Sequence, residues 1–175
     1  SGTSNKDQFP EIIKSDLDPA KFDYQVNWTE YSGHATKIAE AAQGHFDVVV
    51  AVGGDGTVNE VGRGLINSNT VMGIIPCGSG NGLARHLSLP VNMKESIQIL
   101  NQGHIHEIDY GTINNYPFFC TCGMGFDAFI AEEFAKAGKR GPFTYIKKTI
   151  LDWFNYKPET YEITDENGTR RIKAF

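Results

Sequence analysis

The sequence predicts an α/β chain: a doubly wound, parallel-sheet unit followed by the start of an antiparallel, β-rich unit. Three observations carry this. Two apolar runs, 46–52 and 71–75, are nearly continuous rather than alternating, as in strands covered on both faces. Each leads through a glycine-rich turn into a segment with helical spacing. Beyond about Gly103 the pattern becomes that of antiparallel strands, with Glu166-Asn167-Gly168 composed like a hairpin turn.

Taken in order, residues 1–7 are small and polar. A short helix is expected over 10–17 and an alternating strand over 22–28. Residues 33–44 have helical spacing, with Ile38, Ala41 and Ala42 available for one face. Strand 46–52, helix 58–67, strand 71–75, a helix opening over 81–87 and a helix over 94–101 complete the alternation of a Rossmann-like, doubly wound unit. Strands are then expected over 105–109, 116–122 and 161–175, with helices over 126–137 and 143–156 between them. The second of these helices is aromatic-rich and carries Lys147 and Lys148. It reads first as an amphipathic core helix and second as a lipid-facing surface. The expected division is 1–103 for the α/β domain and 104–175 for a partial β-rich domain. The chain opens like the tail of a turn whose strand is absent and stops inside a strand, so a longer protein is expected.

Composition narrows the function. Hydrophobic residues make up 40%, enough for a buried core. The formal net charge of -5 argues against a general nucleic-acid binder, which needs a basic face. Three cysteines without metal-ligand spacing fit a reducing compartment, and Cys120 and Cys122 read as packing residues on one strand face. No apolar run approaches the ~20 residues of a membrane span, and no signal peptide is expected. A cytoplasmic protein, peripheral to a membrane at most, is expected.

The chemistry concentrates in the two turns. Gly53, Gly54, Asp55, Gly56 and Thr57 follow the first buried strand, with Val58 and Asn59 opening the helix. Glycines let a phosphate approach the backbone, and a helix N-terminus favours an anion. Thr57 and Asn59 can add side-chain donors. Asp55 stands where phosphate charge would sit, and an acid there has work to do: orienting a metal ion or taking a hydroxyl proton. Its plainer reading is a helix cap. The second turn holds Gly78, Ser79, Gly80 and Asn81, with Arg85 one helical turn on. Ser79 can bond a phosphate; Asn81 can cap the helix or hold the first loop; Arg85 is a crevice residue or an ordinary solvent-facing charge. Thr29, at the end of strand 22–28, could meet a nucleotide from the other side, whereas His34 serves equally as a plain helix residue. Asp109 could join Asp55 in an acidic network or serve a turn before Gly111. Residues 123–128 read as a structural strand–helix turn. Together the turns point to an ATP-dependent kinase.

The pieces TEYSGHA, GGDGTVNEV, GIIPCGSGNGLAR, IDYG and GMGFDA run in one order along nearly the whole chain. In this they resemble the diacylglycerol kinase catalytic-domain family, which includes bacterial lipid kinases and sphingosine and ceramide kinases. NAD kinases share GGDGT but differ at the second motif. The resemblance implies a C-terminal β-sandwich and transfer of the ATP γ-phosphate, with Mg²⁺, to a lipid hydroxyl at a membrane surface. Residue by residue it places Thr29, Gly53 to Asn59 and Ser79 at ATP contacts, Asp55 as base or metal organiser, and Asp109 as a second acid. Gly82 departs from the bacterial pattern, where Asp follows Asn, and leaves the acceptor open between diacylglycerol and a sphingoid-type lipid. Further base and metal ligands would lie beyond Phe175, so these residues alone would bind ATP without turnover. The alternatives are an NAD kinase-like phosphotransferase and a catalytically silent nucleotide-binding module. A homodimer is among the assemblies expected.

Overall fold

A computed structural model describes residues 8–126, 128, 129 and 157–174. Contacts divide the chain into two compact units, Ser1–Thr121 and Cys122–Phe175.

The first unit begins with α1 (Phe9–Asp16), started by Pro10, whose missing N–H costs nothing in a first turn. Phe9, Ile13 and, just past its end, Leu17 recur every four residues and are buried. Helix α2 (His34–Ala42) buries Ala35, Ala39 and Ala42 on one face. Then come β1 (Val48–Gly53), α3 (Asp55–Leu65), β2 (Val71–Pro76), α4 (Gly82–His86) and α5 (Met93–Gln102). Helix α5 is capped by Asn92, whose side-chain oxygen accepts from Lys94 N–H at 3.0 Å and Glu95 N–H at 3.3 Å. It ends at Gly103, left-handed at φ 69°.

β1 and β2 pair in parallel, from Val48 beside Val71 to Gly53 beside Pro76. Alternate residues feed two cores. Ala51 and Ile74, with Val49 and Met72, pack with residues of α2, α3 and α4. Ile75, with Val50 and Val52, packs with Phe9, Ile13 and Ile97 of α1 and α5. Helices on both faces explain the unbroken apolar runs. Because the register is level, both strands end at one edge and both glycine turns leave from it.

Other expected strands differ. Residues 22–28 and 105–109 form none. A strand exists only where its backbone finds a partner, and between these segments and the β1–β2 pair lies a cavity of about 1860 Å³. Tyr24, Val26, Trp28, Ile105 and Ile108 accordingly stay exposed. Among the described residues the parallel sheet of the first unit is thus a two-stranded pair rather than the fuller sheet expected. The expected strand 116–122 is shorter: β3 (Gly111–Ile113) and β4 (Tyr116–Phe118) form an antiparallel hairpin. Its two turn residues, Asn114 and Asn115, both have positive φ, at 49° and 67°, as the favoured two-residue hairpin turn requires. Phe119 next packs on the core around α3, which keeps this hairpin with the first unit. The division of contacts therefore falls after Thr121, not at the change of pattern near Gly103. Cys120 and Cys122 lie past the strand and are exposed, not packed.

In the second unit, β5 (Glu159–Asp165) and β6 (Gly168–Ala174) form the expected hairpin, closing at Asp165 and Gly168. Asn167 N–H donates to Asp165 Oδ1 at 2.8 Å across the turn. The helix expected over 143–156 lies outside the described residues, as does most of that over 126–137.

Candidate functional site at the ends of two parallel strands

The first turn carries Gly53 and Gly54 into α3, with Asp55 as its first residue. Gly54 offers no side chain, so no side-chain cap closes the N-terminus of α3. A Cβ on Gly53 would stand 2.5 Å from Thr57 Oγ1: the threonine hydroxyl folds back onto the turn. A Cβ on Gly56 would meet nothing within 4 Å, so this side of the turn is open.

The second turn is tied to the first at backbone level. Cys77 N–H donates to Gly53 O at 2.7 Å, extending the strand ladder by one residue. A Cβ on Gly78 would lie 2.6 Å from Gly54 Cα, so the two chains touch there and only glycine fits. Asn81 is buried and left-handed at φ 56°. Its amide closes its own turn, donating from Nδ2 to Gly78 O at 2.8 Å and accepting Gly78 N–H at 2.9 Å. Arg85 Nε donates to Gly80 O at 2.9 Å; this cation braces the turn that it was expected either to line or to ignore. Ser79 is exposed.

Asp55 joins the turns. Its Oδ2 accepts Asn81 N–H at 2.9 Å and its Oδ1 accepts Gly82 N–H at 2.6 Å. The carboxylate therefore lies across the N-terminus of α4, where negative charge is favoured. It caps a helix, as its plainer reading had it, but that of the second turn rather than its own. Two of its roughly four lone-pair positions are taken, which leaves each oxygen one further acceptor site. Val58 is buried in the core, and Asn59 is half-buried on α3. A Cβ on Gly82 would sit 3.6 Å from Asp55 Oδ1 and 3.9 Å from Cys120 Sγ, ordinary contact distances, so a side chain here would face Asp55.

Glu60 is the residue that the sequence motif contained without declaring. Further along α3, its Oε1 accepts Gly33 N–H at 2.8 Å and its Oε2 accepts Ala35 N–H at 3.1 Å. Thr36 Oγ1 donates to its backbone carbonyl at 2.9 Å. The sequence places Glu60 near the start of the helix expected over 58–67, where its charge favours the helix dipole, but does not say which neighbouring helix it reaches.

Thr29 is exposed in the unpaired stretch before α2. His34 Nδ1 accepts Glu30 N–H at 3.1 Å, and its ring stacks on Tyr31 at 4.5 Å, which makes it a structural residue. Asp109 is exposed in residues 104–110 and makes no side-chain hydrogen bond or ion pair among the described residues. Gly53 to Thr57 and Gly78 to Gly82 are thus brought together, and Asp109 has no bond to Asp55. Among the described residues no group of three His, Cys, Asp or Glu side chains could hold a metal ion.

A model of the diacylglycerol kinase catalytic domain matches residues 1–113. The diacylglycerol kinase of Staphylococcus saprophyticus is 33% identical over 155 residues, covering 83% of this chain and 50% of that protein. That of Staphylococcus aureus strain MRSA252 is 33% identical over 156 residues, with 83% and 49% covered. The chain spans about half the length of these curated relatives. Among solved structures, a diacylglycerol kinase from Bacillus anthracis strain Sterne superposes with a TM-score of 0.69 at 27% identity, over 99% of this chain and 58% of that one. On the match of its first 113 residues and the identity to these relatives, the chain belongs to the diacylglycerol kinase catalytic-domain family.

Proposed function

We propose that this chain is the nucleotide-holding part of an ATP-dependent lipid kinase, which transfers the γ-phosphate of ATP to a lipid hydroxyl. The observation that carries the reading is the joining of two glycine turns, by Asp55, at the level C-terminal edge of adjacent parallel strands. In open α/β sheets this edge is where ligands bind. The uncapped start of α3, with open space beside Gly56, suits an anion approaching the backbone. The helices on both faces of β1–β2 support a Rossmann-like reading of the first unit, and the β5–β6 hairpin suits the start of an antiparallel sandwich.

In this reading the N–H groups at the start of α3, with Ser79 and the Thr57 hydroxyl, hold the phosphates, and Thr29 contacts the nucleotide from its own side. The lipid hydroxyl attacks the γ-phosphorus in line, ADP leaves, and the hydroxyl proton goes to a base. Catalysis is then mostly positioning and charge stabilisation. When bound, Mg²⁺ would neutralise phosphate charge; the free acceptor sites of Asp55 fit a role in orienting it. Asp55 keeps its position through two N–H donors, which favours the organiser role over that of the base. Asp109 is proposed as a second acid of the cleft. No helix among the described residues is long and apolar enough to cross a membrane; the proposed enzyme meets its lipid at a bilayer surface.

The test is the full-length protein with radiolabelled ATP, Mg²⁺ and mixed lipid extract. Label in a lipid-soluble product supports the proposal, and the product names the acceptor. ATP binding without transfer to any lipid would instead favour the silent module. Transfer to NAD would favour the NAD kinase-like reading.

A further inference from the structure

Helix α3 carries two carboxylates that do the same thing at different places. Asp55 accepts two backbone N–H groups at the start of α4, and Glu60 accepts two at the start of α2. The Gly33 and Ala35 amides that Glu60 holds lie shortly after Thr29, the Gly33 one in a left-handed turn at φ 85°. Between them run Glu30, whose N–H is held by His34, and Tyr31, stacked on His34. Residues 29–35 are thus held to α3 by the Glu60 carboxylate, beside the burial of Ala35 against α3 and the Thr36 hydroxyl on the Glu60 carbonyl. Deeper in, a Cβ on Gly64 would lie 2.6 Å from Thr36 O and 2.7 Å from Ala39 Cβ, so the two helices meet without intervening side chains. The helix pair is closely packed there, Gln43 Nε2 of the α2 C-terminus donates to Gly64 O at 2.6 Å, and the Glu60 carboxylate makes the link at the loop end.

We infer that Glu60 is a positioning residue: it sets the 29–35 loop, and with it Thr29, against the glycine turns that Asp55 joins. This rests on the proposed nucleotide role of those turns. Glu60 itself touches no reacting atom; all its bonds go to backbone N–H groups and one threonine hydroxyl. An amide in its place supplies one acceptor where two donors wait, and turns an NH₂ group toward an N–H.

The experiment uses the full-length protein, with ATP affinity measured by calorimetry and turnover against an accepted lipid. Glu60→Gln is expected to weaken ATP binding and raise the KM for ATP roughly tenfold, the scale of one bond to a charged group, while kcat and the lipid KM stay within about twofold. Glu60→Asp keeps two acceptors on a shorter arm and should recover part of that loss. Thr29→Ala should weaken ATP binding, and the double variant Thr29→Ala/Glu60→Gln should be little worse than either single change, since both act through one contact. A fall in melting temperature with ATP affinity unchanged would make Glu60 a purely structural residue and overturn the inference. So would full additivity with Thr29→Ala. Wild-type protein that does not bind ATP removes the nucleotide reading itself; wild-type binding with an unaffected Glu60→Gln variant removes this inference alone.

Discussion

The two glycine turns have similar composition and leave neighbouring strands at the same edge, but their polar groups are spent differently. In the second turn most are committed internally, Ser79 staying exposed: Asn81 closes the loop on Gly78, Arg85 holds Gly80 O, and the N–H groups of Asn81 and Gly82 are taken by Asp55. The first turn gives its carboxylate away to the second, leaving its own helix without a side-chain cap and with open space beside Gly56. Two look-alike motifs thus differ, the second mostly self-braced and the first the more open. A glycine-rich turn is evidence for a ligand only where its N–H groups are left over.

The most severe way to break this arrangement is Asp55→Ala, which removes the one side chain common to both turns. On the proposed function, turnover by the full-length protein is expected to fall at least ~100-fold, the scale of losing a positioned charged group at a reacting centre. Steady-state phosphoryl transfer measures it, and unchanged turnover would reject any catalytic part for Asp55. Next comes Gly78→Ala. A methyl group 2.6 Å from Gly54 Cα must push backbone against backbone, at a cost of about 1–3 kcal/mol, seen as a lowered melting temperature together with weaker ATP binding.

Gly56→Ala is the matching probe of the open face. Its methyl group meets no protein atom, and alanine is the better helix former by up to ~1 kcal/mol. The melting temperature should hold or rise while ATP affinity falls. Equal affinity in that variant would mean that the space beside Gly56 is not where phosphate sits. The smallest effect is expected for Arg85→Ala. Its side chain is exposed with one bond to Gly80 O, so stability should change by about 0.5 kcal/mol or less in denaturant titration. A large loss of ATP affinity there would move Arg85 from brace to ligand contact.

Legibility in the sequence followed how local the cause was. Runs 46–52 and 71–75 announced strands because both faces of β1 and β2 are covered by helices. Glu166-Asn167-Gly168 announced a hairpin because turn geometry is set by the turn residues themselves. Asn114 and Asn115 carry a similar signal, yet the strands on either side are short, and only the second of them falls within an expected strand, 116–122. Residues 22–28 alternate as a strand should, but alternation reports a preference for extended backbone and not the presence of a partner. The same limit applies to Cys120 and Cys122, whose spacing suggested a shared buried face that their exposure does not bear out.

From the sequence alone came the alternation of β1, α3 and β2, the two glycine-rich turns, the family resemblance and Asp55 as the acid of the first turn. These are properties of short segments, written in glycine spacing and apolar periodicity. Only the tertiary structure decided what each polar group does: that Asp55 caps a helix other than its own, that Gly78 is glycine because Gly54 lies against it, and that Glu60 reaches α2. A hydrogen bond is a matter of distances of about 3 Å between groups that are far apart in the chain, and no local pattern of residues contains those distances.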